Sequence, residues 1–185
     1  MLSVFAAGMT TLAVELSASR LLGNVFGTSN LVWANVIGLI LVYLSAGYFL
    51  GGRLADRRPD ATLFYQLLAW AAFSAGLIPL VAQPILRAAG RAFETYDLGV
   101  VFGSFASVLI LFALPVTLLG CIAPFAIRLA LRDVRDAGHV AGRLYALSTL
   151  GSILGTFAPV LILIPSIGTA RTFLVFAGLL LLIGL

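Results

Sequence analysis

The strongest constraint on this chain is a recurrence of apolar stretches about twenty residues long, separated by short segments that hold nearly all of its charge. Coiled as a helix, a stretch of roughly 20 residues matches the ~30 Å hydrocarbon thickness of a bilayer. Composition agrees: 62% of residues are hydrophobic, 10% are charged and the mean hydropathy is +1.14. Soluble domains carry charge on about a quarter of their residues. A water-soluble fold would leave apolar helix faces here with nothing to solvate them. The expected fold is all-α and polytopic, one transmembrane domain covering residues 1–185.

Breaks at Gly, Pro and Arg clusters set six expected spans, at 2–23, 31–51, 62–86, 98–120 with an extension to 131, 144–164 and 169–185. The Gly23–Asn30 stretch reads as a turn, and Pro59 forbids continuation of the second helix through the charged Arg53–Asp60 segment. Pro115, Gly120 and Pro124 are expected to kink the fourth helix, whose Arg128 end would run into the interface. Arg87–Asp97 reads as an interfacial connection, Arg132–Arg143 as the longest polar connection, and Pro165 as the end of the fifth span.

Charge placement gives the orientation. All eleven basic residues are Arg, against seven acids, for a net charge of +4. They punctuate the apolar runs instead of clustering on a soluble face, which speaks against a nucleic-acid ligand. Seven of them (Arg53, Arg57, Arg58, Arg128, Arg132, Arg135 and Arg143) follow spans two and four, and four (Arg20, Arg87, Arg91 and Arg171) lie on the other side. The excess places both termini in the cytoplasm of a multi-pass inner-membrane protein. The first run lacks a basic leader, is longer than a signal-peptide core and carries Glu15, so no cleavable signal is expected. The single Cys121 excludes a disulfide framework, and His139, expected in a solvated loop, has no companions for a metal site or a Ser-His-Asp arrangement. No metal, no cofactor and no catalysis are expected.

Chemistry concentrates in the first, second and fifth spans. Glu15 should lie within the hydrocarbon thickness, where a carboxylate costs about 2.5–3.5 kcal/mol on insertion scales and must face the protein interior, pair or be protonated. Helical spacing puts Gly8, Thr11, Glu15 and Ser19 on one stripe, suited to a polar cavity or a close helix contact. Two readings stand side by side for Glu15, a ligand or proton site and a structural hydrogen bond to a neighbouring helix. Arg20, five residues on, points about 140° away at 100° per residue, so it should snorkel or pair elsewhere. Asn35, Tyr43 and Tyr48 either line a cavity or make interhelical and interfacial hydrogen bonds. On span five, Ser148, Gly151, Ser152, Gly155, Thr156 and Pro159 form a face of small residues, and Gly47-xxx-Gly51 repeats the device on span two. Small residues let helix backbones approach, so tight packing is the expected role.

The segment Gly51-Gly52-Arg53-Leu54-Ala55-Asp56-Arg57-Arg58, placed in a short cytoplasmic loop, resembles the major facilitator superfamily loop motif, roughly G-x-L-A-D-R-x-G-R-R. The resemblance implies that Gly52 allows close packing and that Asp56 and Arg57 help latch the cytoplasmic side; Arg58-Pro59-Asp60 replaces the G-R-R end. Further segments are Phe26-Gly27-Thr28-Ser29, Val32-Trp33, Val36-Ile37-Gly38, Gly47 to Asp56, Leu114-Pro115, Leu119-Gly120, Pro124, Gly142 to Gly151, and Leu163 to Thr169. Together they are similar to the membrane region of fused facilitator/spermidine-synthase proteins, with Ser148 where many relatives carry Asn. The resemblance implies half of a facilitator-type bundle. The aminopropyltransferase domain that follows in the family has no counterpart here, since no Gly-rich nucleotide loop or soluble pair of carboxylates is present.

Two functions follow as expectations. One is a half-sized module transporting or binding a small, cationic, polyamine-like solute, with Glu15 as counter-charge and a homo-oligomer or other membrane subunits completing it. The other is a non-transporting anchor, scaffold or accessory subunit. The bilayer is the first partner in both.

Overall fold

The computed structural model describes residues 1–93, 99–131 and 133–184, and all regular structure among them is helical. The main helices are α1 (Leu2–Phe26), α2 (Asn30–Arg57), α3 (Ala61–Phe93), α4 (Gly99–Ala130), α5 (Val134–Ile167) and α6 (Thr169–Gly184). Five of them are long and apolar enough to cross a membrane. The exception to the expected six is α6, whose 16 residues reach about 24 Å at 1.5 Å per residue.

Local chemistry sets the breaks. Gly27, at φ 79°, ends α1 and donates its N–H to the Gly23 carbonyl at 3.1 Å. Such a φ is open to Gly at no steric cost. Ser29 caps α2 by accepting from the Val32 N–H at 3.4 Å. The Asp60 carboxylate accepts from the Thr62 N–H at 3.1 Å just inside α3. Gly168, at φ 84°, separates α5 from α6. Within α5, Pro159–Leu163 is a π-helical stretch in which the Ile164 N–H donates to the Pro159 carbonyl.

Several expected boundaries are corrected, because hydropathy marks the membrane whereas helices run on until Pro or Gly stops them. The facilitator-like segment is the end of α2 up to Arg57, not a loop. Arg87 and Arg91 belong to α3 instead of an interfacial connection. The expected polar connection after α4 is helical from Val134, so His139 lies on an exposed helical turn. The fourth span is one continuous helix containing Pro115 and Pro124. Residues 94–98, Arg132 and Leu185, on which the remaining boundaries fall, lie outside the described residues.

The packing repeats itself. Helix α1 lies against α5 as α4 lies against α2; α3 packs on α4 as α6 packs on α1; and α3 and α6 pack on each other. The closest approaches repeat at residue level. On α2, Leu44, Gly47 and Gly51 meet Thr117, Gly120 and Cys121 of α4; on α5, Ser148, Gly151 and Gly155 meet Phe5, Gly8 and Met9 of α1. The spacings are the same in both contacts, so helices α1–α3 and α4–α6 form two similar sets. With three helices each, the second set runs inverted relative to the first. Each close approach puts backbone on backbone. A methyl group at Gly51 would sit 2.5 Å from the Cys121 Cα, and one at Gly120 would sit 2.8 Å from the Leu44 carbonyl oxygen. Larger side chains fill the remaining volume: Val14, Ile40, Ile78, Phe112 and Phe173 in one cluster, and Phe64, Leu68, Ile122, Phe125 and Leu180 in another. Lipid tails are as apolar as these residues, so dense packing and interhelical hydrogen bonds, more than hydrophobic transfer, hold such helices together.

Candidate functional site

Where the two close helix pairs face each other they leave a central cleft. A cavity of about 100 Å³ opens there, lined by Gly8 and Thr11 of α1, Leu44 and Tyr48 of α2, Leu119 and Ala123 of α4, and Ser148 and Ser152 of α5. Two of its four hydroxyls are committed. Thr11 Oγ1 donates to the Ala7 carbonyl at 2.8 Å, and Ser152 Oγ donates across the helix pair to the Gly8 carbonyl at 3.2 Å. Thus Thr11 lines a cavity, and Ser148 and Ser152 serve both packing and lining.

A second, larger cavity of about 480 Å³ lies at the Gly27 turn, between the end of α1, the start of α2 and the far end of α5. Ser19, Arg20, Asn24 and Thr28 supply its polar wall; Leu16, Trp33, Val160, Ile164 and Pro165 supply the apolar one. Sequence reading missed it, since its walls come from a turn and from residues over a hundred positions away.

Glu15 lines neither cavity; along α1 it falls between residues that do. The stripe Gly8, Thr11, Glu15, Ser19 is present: its first two members line the central cavity and its last the larger one. Glu15 lies about 6 Å along the axis from both Thr11 and Ser19. It is half-buried, and its carboxylate has no hydrogen-bond or ion-pair partner among the described residues. Its backbone carbonyl accepts from Ser19 Oγ at 3.2 Å. The interhelical hydrogen bond offered as its alternative role is therefore absent among the described residues. Arg20 is exposed and turned to the larger cavity, also without an ion-pair partner among the described residues.

The structure separates the other candidates from the cavities. Asn35 Nδ2 donates to the Val101 carbonyl at 3.0 Å and to Ser104 Oγ at 2.8 Å, tying α2 to α4. It holds helices together and lines neither cavity. Tyr43 packs its ring against the core, its hydroxyl buried with no partner among the described residues. Thr10 and Ser17, on the opposite face of α1 from Glu15, also bury hydroxyls without partners among the described residues; nothing in their spacing singles them out. In the facilitator-like segment, Asp56 accepts from Arg128 Nε of α4 at 3.2 Å, an exposed pair. Arg57 shares in no bond among the described residues, and Arg53 lies over the Phe49 ring, 3.9 Å from its centroid. The close approach implied for Gly52 belongs to Gly51: a methyl on Gly52 would meet only Pro124 Cβ, at 4.0 Å. Among the described residues no group of His, Cys, Asp and Glu is placed to hold a metal ion.

Comparison of the chain with protein-family models, with curated proteins and with solved structures found no match.

Proposed function

We propose that the chain is an integral membrane module that binds a small organic cation of polyamine type beside Glu15 and, as a homo-oligomer or with other membrane subunits, passes it across the bilayer. The observation that carries this reading is the half-buried Glu15, unpartnered among the described residues, on a polar stripe whose Thr11 lines one cavity and whose Ser19 lines the other. It lies about 20 Å from the start of α1 and ~16 Å from its end at 1.5 Å per residue, deep within the hydrocarbon. An acid at that depth needs a counter-charge or a proton, and a bound cation supplies the first. The inverted similarity of the two helix sets supports the reading, since solute sites in transporters lie at such repeat interfaces. The resemblance to the facilitator-like membrane region of spermidine-synthase-like proteins points the same way. It brings no catalysis with it. The arginine distribution favours an inner membrane with both termini cytoplasmic.

The test is equilibrium binding and proteoliposome uptake of radiolabelled spermidine. The wild type should take it up saturably; Glu15→Gln should abolish binding and uptake, and Glu15→Asp should weaken both. Absence of binding by the wild type, or uptake unaffected by Glu15→Gln, would refute the proposal. A second reading, an accessory subunit of a larger membrane complex, is favoured by α2 and α5. They bury the smallest share of their surface and expose Leu41, Phe49, Leu154 and Phe157. A membrane partner retained in stoichiometric amount in mild detergent, with no uptake by the isolated chain, would select it.

A further inference from the structure

The larger cavity at the Gly27 turn is amphiphilic: its polar residues come from α1 and the turn, and its apolar ones from α5, Trp33 of α2 and Leu16 of α1. Arg20 brings a cation, and Asn24 and Thr28 bring hydrogen-bond donors from the end of α1 and the turn itself, while the Ser19 hydroxyl is held by the Glu15 carbonyl. Across from them Val160, Ile164 and Pro165 of α5 and the ring of Trp33, itself 42% exposed, present apolar surface. Arg20 lies only six residues before the end of α1 at Phe26, about 9 Å along the axis. From there a long guanidinium side chain can snorkel to the headgroups, the level at which Trp side chains also concentrate in membrane proteins. No carboxylate is among the lining residues, so a headgroup carrying an ammonium group would find no counter-charge there.

We propose that this cavity is a binding site for one phospholipid with a net-anionic headgroup, Arg20 and the neighbouring donors holding the phosphate and the Trp33–Pro165 wall taking the upper acyl chain. Guanidinium is the side chain best matched to phosphate, through charge-assisted hydrogen bonds. The size is appropriate, since small-molecule sites run about 300–1,000 Å³. The site is independent of Glu15, which does not line it.

Trp33 in the cavity wall and Trp70, 60% exposed on α3 and remote from it, give a built-in comparison. The experiment uses two single-tryptophan proteins, Trp70→Phe and Trp33→Phe, in nanodiscs doped with dibrominated phosphatidylglycerol or dibrominated phosphatidylcholine, both contact quenchers of indole. Trp33 should be half-quenched at an about fivefold lower fraction of the anionic lipid, the factor that one arginine contributes at an anionic surface. Trp70 should respond to both lipids alike. Arg20→Gln should erase the Trp33 preference and Arg20→Lys should keep part of it. Millimolar inorganic phosphate in the buffer should leave the quenching unchanged. Equal quenching of Trp33 by the two lipids overturns the proposal even without an Arg20 variant. A preference shared by Trp70, a preference surviving Arg20→Gln, or reversal by free phosphate would each do so as well.

Discussion

Gly51 and Gly52 are neighbours in sequence and should respond oppositely to the same added methyl group. At Gly51 the new Cβ would lie 2.5 Å from the Cys121 Cα, where ordinary contact begins near 3.4 Å, so α2 and α4 would have to part by about 0.9 Å. The obstacle is backbone and cannot rotate away. Overpacking of this kind costs roughly 1–3 kcal/mol, and the parting would also loosen the Gly47–Gly120 approach one turn earlier. At Gly52 the nearest atom stands 4.0 Å off, so Ala there should gain the usual helix preference over Gly, about 0.8–1.0 kcal/mol. The same propensity gain applies at Gly51 and cancels, so the two variants should differ by the overpacking cost, about 1–3 kcal/mol. For a chain of this size the gap corresponds to roughly 2–12 °C in Tm. Thermal unfolding of Gly51→Ala and Gly52→Ala in one detergent, followed by far-UV circular dichroism, measures it. Midpoints equal to within a degree would refute the backbone-on-backbone contact.

Other expectations follow from the same geometry. Gly155→Ala, at the equivalent position of the α1–α5 contact, should destabilise about as much as Gly51→Ala if the two helix sets are built alike; thermal unfolding checks it. Asn35→Leu should cost about 0.6–1.7 kcal/mol, the range for interhelical hydrogen bonds in membranes, and leave spermidine binding unchanged in the radioligand assay. A double-mutant cycle on Asp56→Asn and Arg128→Gln should give a coupling below about 1 kcal/mol, because the pair is exposed.

Much of the helical layout was legible because a bilayer leaves a chain few options: backbone polar groups must be paired internally, so apolar runs of spanning length become helices. The small-residue faces of α2 and α5 were legible for a similar reason. Which helix each face meets was not, since Gly47-xxx-Gly51 announces close approach without naming a partner. Ends were misplaced wherever arginine-rich turns carried the helix beyond the apolar run, as at Arg57 and at Val134. Asn35 fitted cavity and interhelical roles equally well on paper; only the positions of Val101 and Ser104 decide between them. The stripe through Glu15 was readable from 3.6-residue periodicity, whereas the cavity around Arg20 needs the fold to bring Pro165 beside Asn24.

Water and solute access to position 15 tests the central claim most directly. In a Cys121→Ser background, Glu15→Cys should react with a membrane-impermeant thiol reagent, and spermidine should slow that reaction in a saturable way. A thiol that reacts only with lipid-soluble reagents, at a rate indifferent to spermidine, would show that α1 turns this position to the acyl chains and would contradict the account.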